Sequence, residues 1–197
     1  MPADGEPIYE FGARQVLGQV GFADLRPIFR GKQYLGADIQ PGPGVDVILD
    51  LHQIGLPAEA AGTVLLLDTI EHVEFPRKAI EEAHRILKPG GILVISSAMK
   101  CRIHGYPRDY WRFTPEGFKS LLKPFAASFV AHAGRSDFPH TVVGVGFKQS
   151  PPAKLTDELA GRVGGWQRRW PTRLGRGLMP LKVVYRHITT RLRQRPG

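Results

Sequence analysis

Short apolar runs separated by polar, turn-prone stretches recur between residues 7 and 149. Seven runs predict strands: Ile8–Phe11, Tyr34–Ala37, Val45–Leu49, Thr63–Leu67, Ile92–Ser96, Ala127–His132 and Val142–Phe147. Several are apolar throughout, the pattern of a strand covered on both faces. After the fourth run, Ala79, Ile80, Ala83, Ile86 and Leu87 recur at helical spacing and predict a helix over Pro76–Leu87, ended by Lys88-Pro89-Gly90-Gly91. Thr114-Pro115-Glu116 predicts a second helix start, with a capping hydroxyl, a first-turn proline and then an acid. Strands alternating with helical stretches imply an α/β fold with a doubly wound, mainly parallel seven-stranded sheet. The last two strands leave no room for a helix between them, so they are expected to pair antiparallel at the sheet edge.

Pro151-Pro152 marks the expected boundary between a domain at residues 1–150 and a helical tail at 151–197. In the tail, Leu155, Leu159, Trp166 and Trp170 stand at near-helical spacing, interrupted by Gly164-Gly165. Farther on, Leu181, Val184, Tyr185, Ile188 and Leu192 share one helical face among Lys182, Arg186, Arg191 and Arg193. Charge sharpens this division. The net +9 of the 197 residues lies in the tail, where 11 Lys and Arg face two acids, Asp157 and Glu158, whereas residues 1–150 hold 16 of each sign. A basic amphipathic helix of this kind either lies on an anionic membrane or packs its apolar face on the domain. Nucleic acid is not an expected partner, because few aromatics interleave with the basic residues. With 42% hydrophobic residues, no apolar span of membrane length and a polar Met1–Gly5, the expectation is a cytoplasmic protein, peripheral to the inner face of the membrane if the tail binds lipid. One cysteine, Cys101, excludes an internal disulfide, and the histidines lack a His-Glu-x-x-His spacing, so no metal is expected.

Ligands of doubly wound sheets bind beyond the carboxyl ends of the strands. The first four strands end in Glu10-Phe11-Gly12-Ala13-Arg14, Asp38-Ile39, Asp50-Leu51 and Asp68-Thr69-Ile70-Glu71-His72. Four successive strands therefore deliver a carboxylate to one rim. Clustered acids need polar partners, and a nucleoside, with ribose hydroxyls and an exocyclic amine, supplies them. An aspartate at any one strand end equally well serves a turn or a cap.

These runs resemble the class I S-adenosylmethionine-dependent methyltransferases. Tyr34–Ile39 and Val45–Leu51 look like that superfamily's second and third strands, and Glu71-His72 followed by Arg85-Ile86-Leu87-Lys88-Pro89-Gly90-Gly91 is a specific combination for it. The resemblance implies a Rossmann-like sheet and a methyl group moved from S-adenosyl-L-methionine to an oxygen or nitrogen of a small-molecule or glycan-like acceptor. It implies Asp38 on both ribose hydroxyls, with Ile39 beside it. Asp50 and the Leu51 backbone would meet the adenine, Glu10 and Gly12 the methionine part, and Asp68, Thr69 and Ile70 its other side. His104-Gly105-Tyr106-Pro107-Arg108-Asp109-Tyr110-Trp111 is similar to a subgroup associated with cell-surface polysaccharide synthesis. For a hydroxyl acceptor the candidate bases are Asp109, His104 and His72, in that order.

Two departures stand out. Arg14 occupies the second glycine of the superfamily's acid-x-Gly-x-Gly loop, where it would obstruct the cofactor or turn outward. Only about half a dozen residues precede the first strand, where the superfamily has a helix. A catalytically silent binding module is therefore the alternative reading. Gly42-Pro43-Gly44 reads as a turn, and Ser96-Ser97 lacks a nucleophile-elbow pattern. No Asn/Asp-Pro-Pro-Tyr follows the fourth strand, which argues against methylation of planar amines.

Overall fold

A computed structural model describes residues 6–170, apart from 17, 19, 22 and 106. One sheet holds seven strands: β1 (Ile8–Phe11), β2 (Tyr34–Asp38), β3 (Val47–Ile48), β4 (Ala61–Leu67), β5 (Leu87–Ala98), β6 (Ala127–Gly134) and β7 (Pro139–Phe147). Their order is β3-β2-β1-β4-β5-β7-β6. The pairs among β1 to β5 are parallel, while β7 runs antiparallel to both β5 and β6. The expected antiparallel pair is thus at the edge, with β7 inserted beside β5 and β6 outermost. The third strand is shorter than expected. Asp46, just before it, accepts from the Gly36 amide at 2.7 Å and from Arg26 Nη2 at 2.7 Å, which draws the chain into a turn against β2.

Both faces of the sheet are covered, so its central strands are apolar throughout. Val64 and Leu66 of β4 and Leu93 and Ile95 of β5 pack on one face, under α1 (Pro76–Ile86) and α2 (Pro115–Leu121). Leu65 and Val94 alternate to the other face, beside Ile8 and Leu25. In α1, Ala79, Ile80, Ala83 and Ile86 are buried, as their spacing requires. Thr114 caps α2 as expected, its Oγ1 accepting from the Gly117 amide at 3.0 Å.

The third helix, α3 (Ala153–Arg169), continues through Gly164-Gly165 and belongs to the packed body. Its Leu159, Val163 and Trp166 bury against Ala131, Val143, Val145 and Phe147 of β6 and β7. Burying such side chains stabilises by about 1.5–3 kcal/mol each. The second amphipathic run, at 181–192, lies outside the described residues. Among the described residues, no helix is long and apolar enough to cross a membrane.

Glycine on β7 is what allows α2 and the turn after it to lie this close to the sheet. A Cβ on Gly146 would stand 2.7–2.8 Å from three ring carbons of the buried Phe125. Gly146→Ala should therefore destabilise the fold by about 1–3 kcal/mol, from overpacking. Thermal unfolding checks this, and an unchanged melting temperature would mean that the ring yields freely.

Candidate active site

Parallel register brings the ends of β1, β2 and β4 level. Phe11 lies opposite Ala37 on one side and Leu66 on the other. A cavity of about 1190 Å³ opens beyond these ends. That volume exceeds the usual range for a single small ligand.

At one end of the cavity lie Gly12, Asp38, Ile39, Asp50 and Leu51. Gly12 has a φ of +77°, and a Cβ there would meet Thr69 Oγ1 at 2.3 Å, so no L side chain fits. Asp38 is half-buried; its Oδ1 accepts from the Gln40 amide at 3.0 Å and its Oδ2 from the Arg14 amide at 3.4 Å. Each oxygen keeps acceptor capacity. The Arg14 side chain runs along Gly42 and donates from Nη1 to Gln40 Oε1 at 2.9 Å. Asp50 Oδ1 takes two bonds from His52, one from its amide and one from Nδ1, both at 2.8 Å. Those bonds, working against partial burial, hold the Asp50 carboxyl below the usual range. His52 Nε2 accepts from the Phe75 amide at 3.3 Å, which places its proton on Nδ1. The loop after β3 is fixed by Arg85 of α1, which donates to Ile54 O at 2.8 Å and Leu56 O at 2.9 Å and pairs with Glu82 at 2.7 Å.

Asp68 and Thr69 form the middle of the wall. Thr69 Oγ1 lies 3.1 Å from Phe11 O and 3.0 Å from Leu67 O, tying the ends of β1 and β4 together. Asp68 adopts φ +48°, a left-handed conformation that aspartate tolerates better than bulkier residues. It opens onto the cavity, yet enough protein surrounds it that desolvation pushes its carboxyl up to about 6, against the opposing hydrogen bond from Ser96 Oγ at 3.1 Å.

The far end is built from the turn Ile70–His72 and the loop after β5. Tyr110 and Trp111 donate their amides to Glu71 O at 2.8 and 3.2 Å, and Trp111 Nε1 donates to Val73 O at 2.9 Å. His72 Nδ1 lies 2.6 Å from Arg108 O. His72 and His104 line the cavity, their rings 4.8 Å apart and edge to face. Glu71 lies behind them, fully buried, with neither carboxylate oxygen hydrogen-bonded. Burial, reinforced by the Asp68 charge, pushes its carboxyl up to about 8. The Ser97 hydroxyl stands beside it and opposes that rise, although Ser97 Oγ also completes no hydrogen bond.

Nine of the twelve residues singled out in the sequence line this cavity: Gly12, Asp38, Ile39, Asp50, Leu51, Asp68, Thr69, His72 and His104. Three do not. Ile70 is buried in the core. Glu10 faces the opposite side of β1, where the Tyr34 hydroxyl donates to its carboxylate. Asp109 is held by Arg112 through bonds of 2.6 and 2.7 Å and accepts from the His104 amide at 2.8 Å. Its carboxyl lies far below the usual range, chiefly because of Arg112, so it is a poor proton acceptor. His52 lines the cavity unforeseen, and Arg108 and Tyr110, from the run singled out after the fifth strand, line it as well. For His52 the signal was its place two residues after Asp50. Tyr106 is outside the described residues.

A family model described as a methyltransferase domain matches residues 24–95, the segment from the turn before β2 into β5. The match falls on a sheet ordered β3-β2-β1-β4-β5-β7-β6. The matched segment is similar to that family, and the sheet has the Rossmann-like fold of the class I S-adenosylmethionine-dependent methyltransferases. Among solved structures, the chain is similar to the CMeT domain of the citrinin polyketide synthase, with 14% identity and a TM-score of 0.57 over 75% of this chain and 47% of that one. It is similar to the CurJ carbon methyltransferase, at 15% identity and a TM-score of 0.57 over 76% and 50%. It also matches a possible histamine N-methyltransferase from Thermotoga maritima, at 20% identity and a TM-score of 0.55 over 73% and 83%. The chain spans about half the length of the first two, and identities this low speak for the fold alone. No curated protein matches the chain in sequence.

S-adenosylmethionine is the cofactor that the methyltransferase-domain match implies. The residues present fit it. Asp38 retains acceptor capacity on both oxygens, Gly12 adds no side chain where Thr69 crosses the loop, and Arg14 lines the cavity with its guanidinium tied to Gln40.

Glu10 provides a test of the face opposite the cavity. Burial, opposed by Tyr34 and Arg26, pushes its carboxyl from 4.5 to about 7. Between those values the folded chain holds a proton that the unfolded chain has lost, so this residue's contribution to stability falls as pH rises. Glu10→Gln should raise stability at pH 8 by roughly 1–3 kcal/mol and little near pH 4. Urea unfolding at both pH values checks this, and equal effects at the two would contradict the assignment.

Proposed function

We propose that this chain moves a methyl group from S-adenosylmethionine to an oxygen or nitrogen atom of a small-molecule or glycan-like acceptor. One observation carries the reading: a single cavity has Asp38 and Asp50 at one end and His72 and His104 at the other, with Asp68 and Thr69 between them. The reaction is an in-line displacement. The acceptor's lone pair forms a bond to the methyl carbon, the carbon–sulfur bond breaks, and its electrons remain on the sulfur of S-adenosylhomocysteine. Alignment supplies much of the acceleration. A hydroxyl acceptor also loses its proton, and His104 and His72 are the groups suited to the place where that happens. Tyr110 and Arg108 at the same end offer a flat ring and a cation, which suit a polar, sugar-like acceptor.

The alternative, a silent binding module, draws on Arg14, which stands where the superfamily loop has glycine. The two readings part on S-adenosylhomocysteine, which the enzyme binds in this cavity and a module with an obstructed loop does not. In calorimetry, the wild-type chain should bind it and Asp38→Ala should bind about 5- to 150-fold more weakly, the equivalent of ~1–3 kcal/mol for unpaired ribose hydroxyls. Equal affinity of the two proteins would contradict the assigned pocket.

Residues 171–197 hold seven Lys and Arg and no acid, which supports attachment to an anionic membrane surface from the cytoplasmic side as part of this proposal. The full chain should sediment with anionic vesicles and not with neutral ones, less so at high salt. A chain ending at Trp170 keeps α3 and should stay in solution. Equal sedimentation of the two chains would remove the tail from the explanation.

A further inference from the structure

The far end of the cavity holds a group of side chains that methyl transfer alone does not explain. Glu71 is the middle residue of the turn Ile70–His72, fully buried, with both carboxylate oxygens lacking a hydrogen-bond partner. Buried carboxylates are ordinarily hydrogen-bonded, paired or bound to a cation. Beside it, His72 Nδ1 lies 2.6 Å from Arg108 O, so that nitrogen carries the proton and donates. His104 Nδ1 lies 3.1 Å from Arg102 O and 3.2 Å from Asp109 Oδ2, an arrangement that again places the proton on Nδ1. Both imidazoles therefore present Nε2 with an open lone pair. A histidine anchored through one N–H to a carbonyl or carboxylate, with the other nitrogen open, is the arrangement found around bound metals. One ligand atom from each of Glu71, His72 and His104 lies within 4.8 Å of the others.

We propose that Glu71, His72 and His104 form a binding site for a divalent transition-metal ion at the acceptor end of the cavity. Two imidazoles and one carboxylate suit zinc, iron or cobalt better than magnesium or calcium, which prefer all-oxygen shells. Ligand atoms about 3–3.5 Å apart surround such an ion at bond lengths near 2.0–2.2 Å. The His104 ring lies on the loop after β5 and is partly exposed, so a bound ion would draw it inward over the remaining distance. Three protein ligands leave at least one coordination position open. His72 and His104 line the cavity and Glu71 stands behind them, so that position faces the acceptor.

The ion's role rests on the methyl-transfer reading, whereas its binding does not. With the ion bound, His72 and His104 serve as its ligands in place of acting as bases, and a hydroxyl acceptor coordinated there becomes more acidic and loses its proton to water. The oxygen lone pair then forms the carbon–oxygen bond as the carbon–sulfur bond breaks. The acceptor class becomes a hydroxyl compound able to reach the ion with that oxygen.

The test uses the full, untagged chain, stripped with a chelator and titrated with Co²⁺ by absorption and with Zn²⁺ and Mg²⁺ by calorimetry. One Co²⁺ or Zn²⁺ per chain should bind, with Mg²⁺ weaker by about 100-fold or more. Glu71→Gln and His104→Asn should each weaken Co²⁺ binding about tenfold or more, while S-adenosylhomocysteine affinity changes less than about threefold. A folded chain that binds neither Co²⁺ nor Zn²⁺ overturns the proposal, and so does binding that survives both substitutions. Loss of metal binding with S-adenosylhomocysteine still bound by both variants supports the site. Metal binding by a wild-type chain that fails to bind S-adenosylhomocysteine also supports the site and removes the methyl-transfer reading instead.

Discussion

Parallel hydrogen bonding of β1 to both β2 and β4 sets where the central wall of the cavity emerges. With Phe11 level with Ala37 and Leu66, the next residues of all three strands leave the sheet at one rim. Gly12, Asp38 and Asp68 are those residues or their near neighbours. The Thr69 hydroxyl reinforces the alignment by reaching carbonyls at the ends of both β1 and β4. Where Thr69 crosses the end of β1, only glycine fits at position 12. Register, hydroxyl and glycine are thus one constraint seen from three residues.

The site concentrates unfavourable charge, and the fold compensates each group differently. Asp50 is stabilised by His52, and Asp109 by Arg112. Asp68 has Ser96. Among the described residues Glu71 has no cation paired with it and only the Ser97 hydroxyl nearby, which completes no hydrogen bond, and it is the residue whose backbone carbonyl receives the loop after β5. A buried, unpaired carboxylate costs stability that ordinary packing does not recover. Its burial in the turn Ile70–His72, beside two cavity-lining histidines, is the physical reason to look for a cation there.

The strands were legible because a sheet covered on both faces leaves continuous apolar runs, and Val64–Leu66 and Leu93–Ile95 show it on alternating sides. The third strand was overestimated because Asp46 binds Arg26 and Gly36, contacts that its neighbours in sequence do not announce. α3 was read as part of a tail because Pro151-Pro152 looks like a boundary, whereas Leu159, Val163 and Trp166 find their partners on β6 and β7. The carboxylate rim was legible from strand ends. Glu10 was misplaced because strand alternation, with Phe11 in the main core, sends it to the other face. Asp109 stood three residues before Arg112, a pairing visible in the sequence. The grouping of Glu71 with His72 and His104 was not legible, since the second histidine arrives on a loop 32 residues after the first.

The central claim is that one cavity orders the cofactor between the carboxylate rim and the histidine pair. A crystal structure of the chain with S-adenosylhomocysteine tests it most directly. The account predicts the ribose hydroxyls on the Asp38 carboxylate, the adenine beside Asp50 and Leu51, and the sulfur on the side toward His72 and His104. Density for the nucleoside elsewhere on the protein, or reversed with the adenine at the histidines, would contradict it.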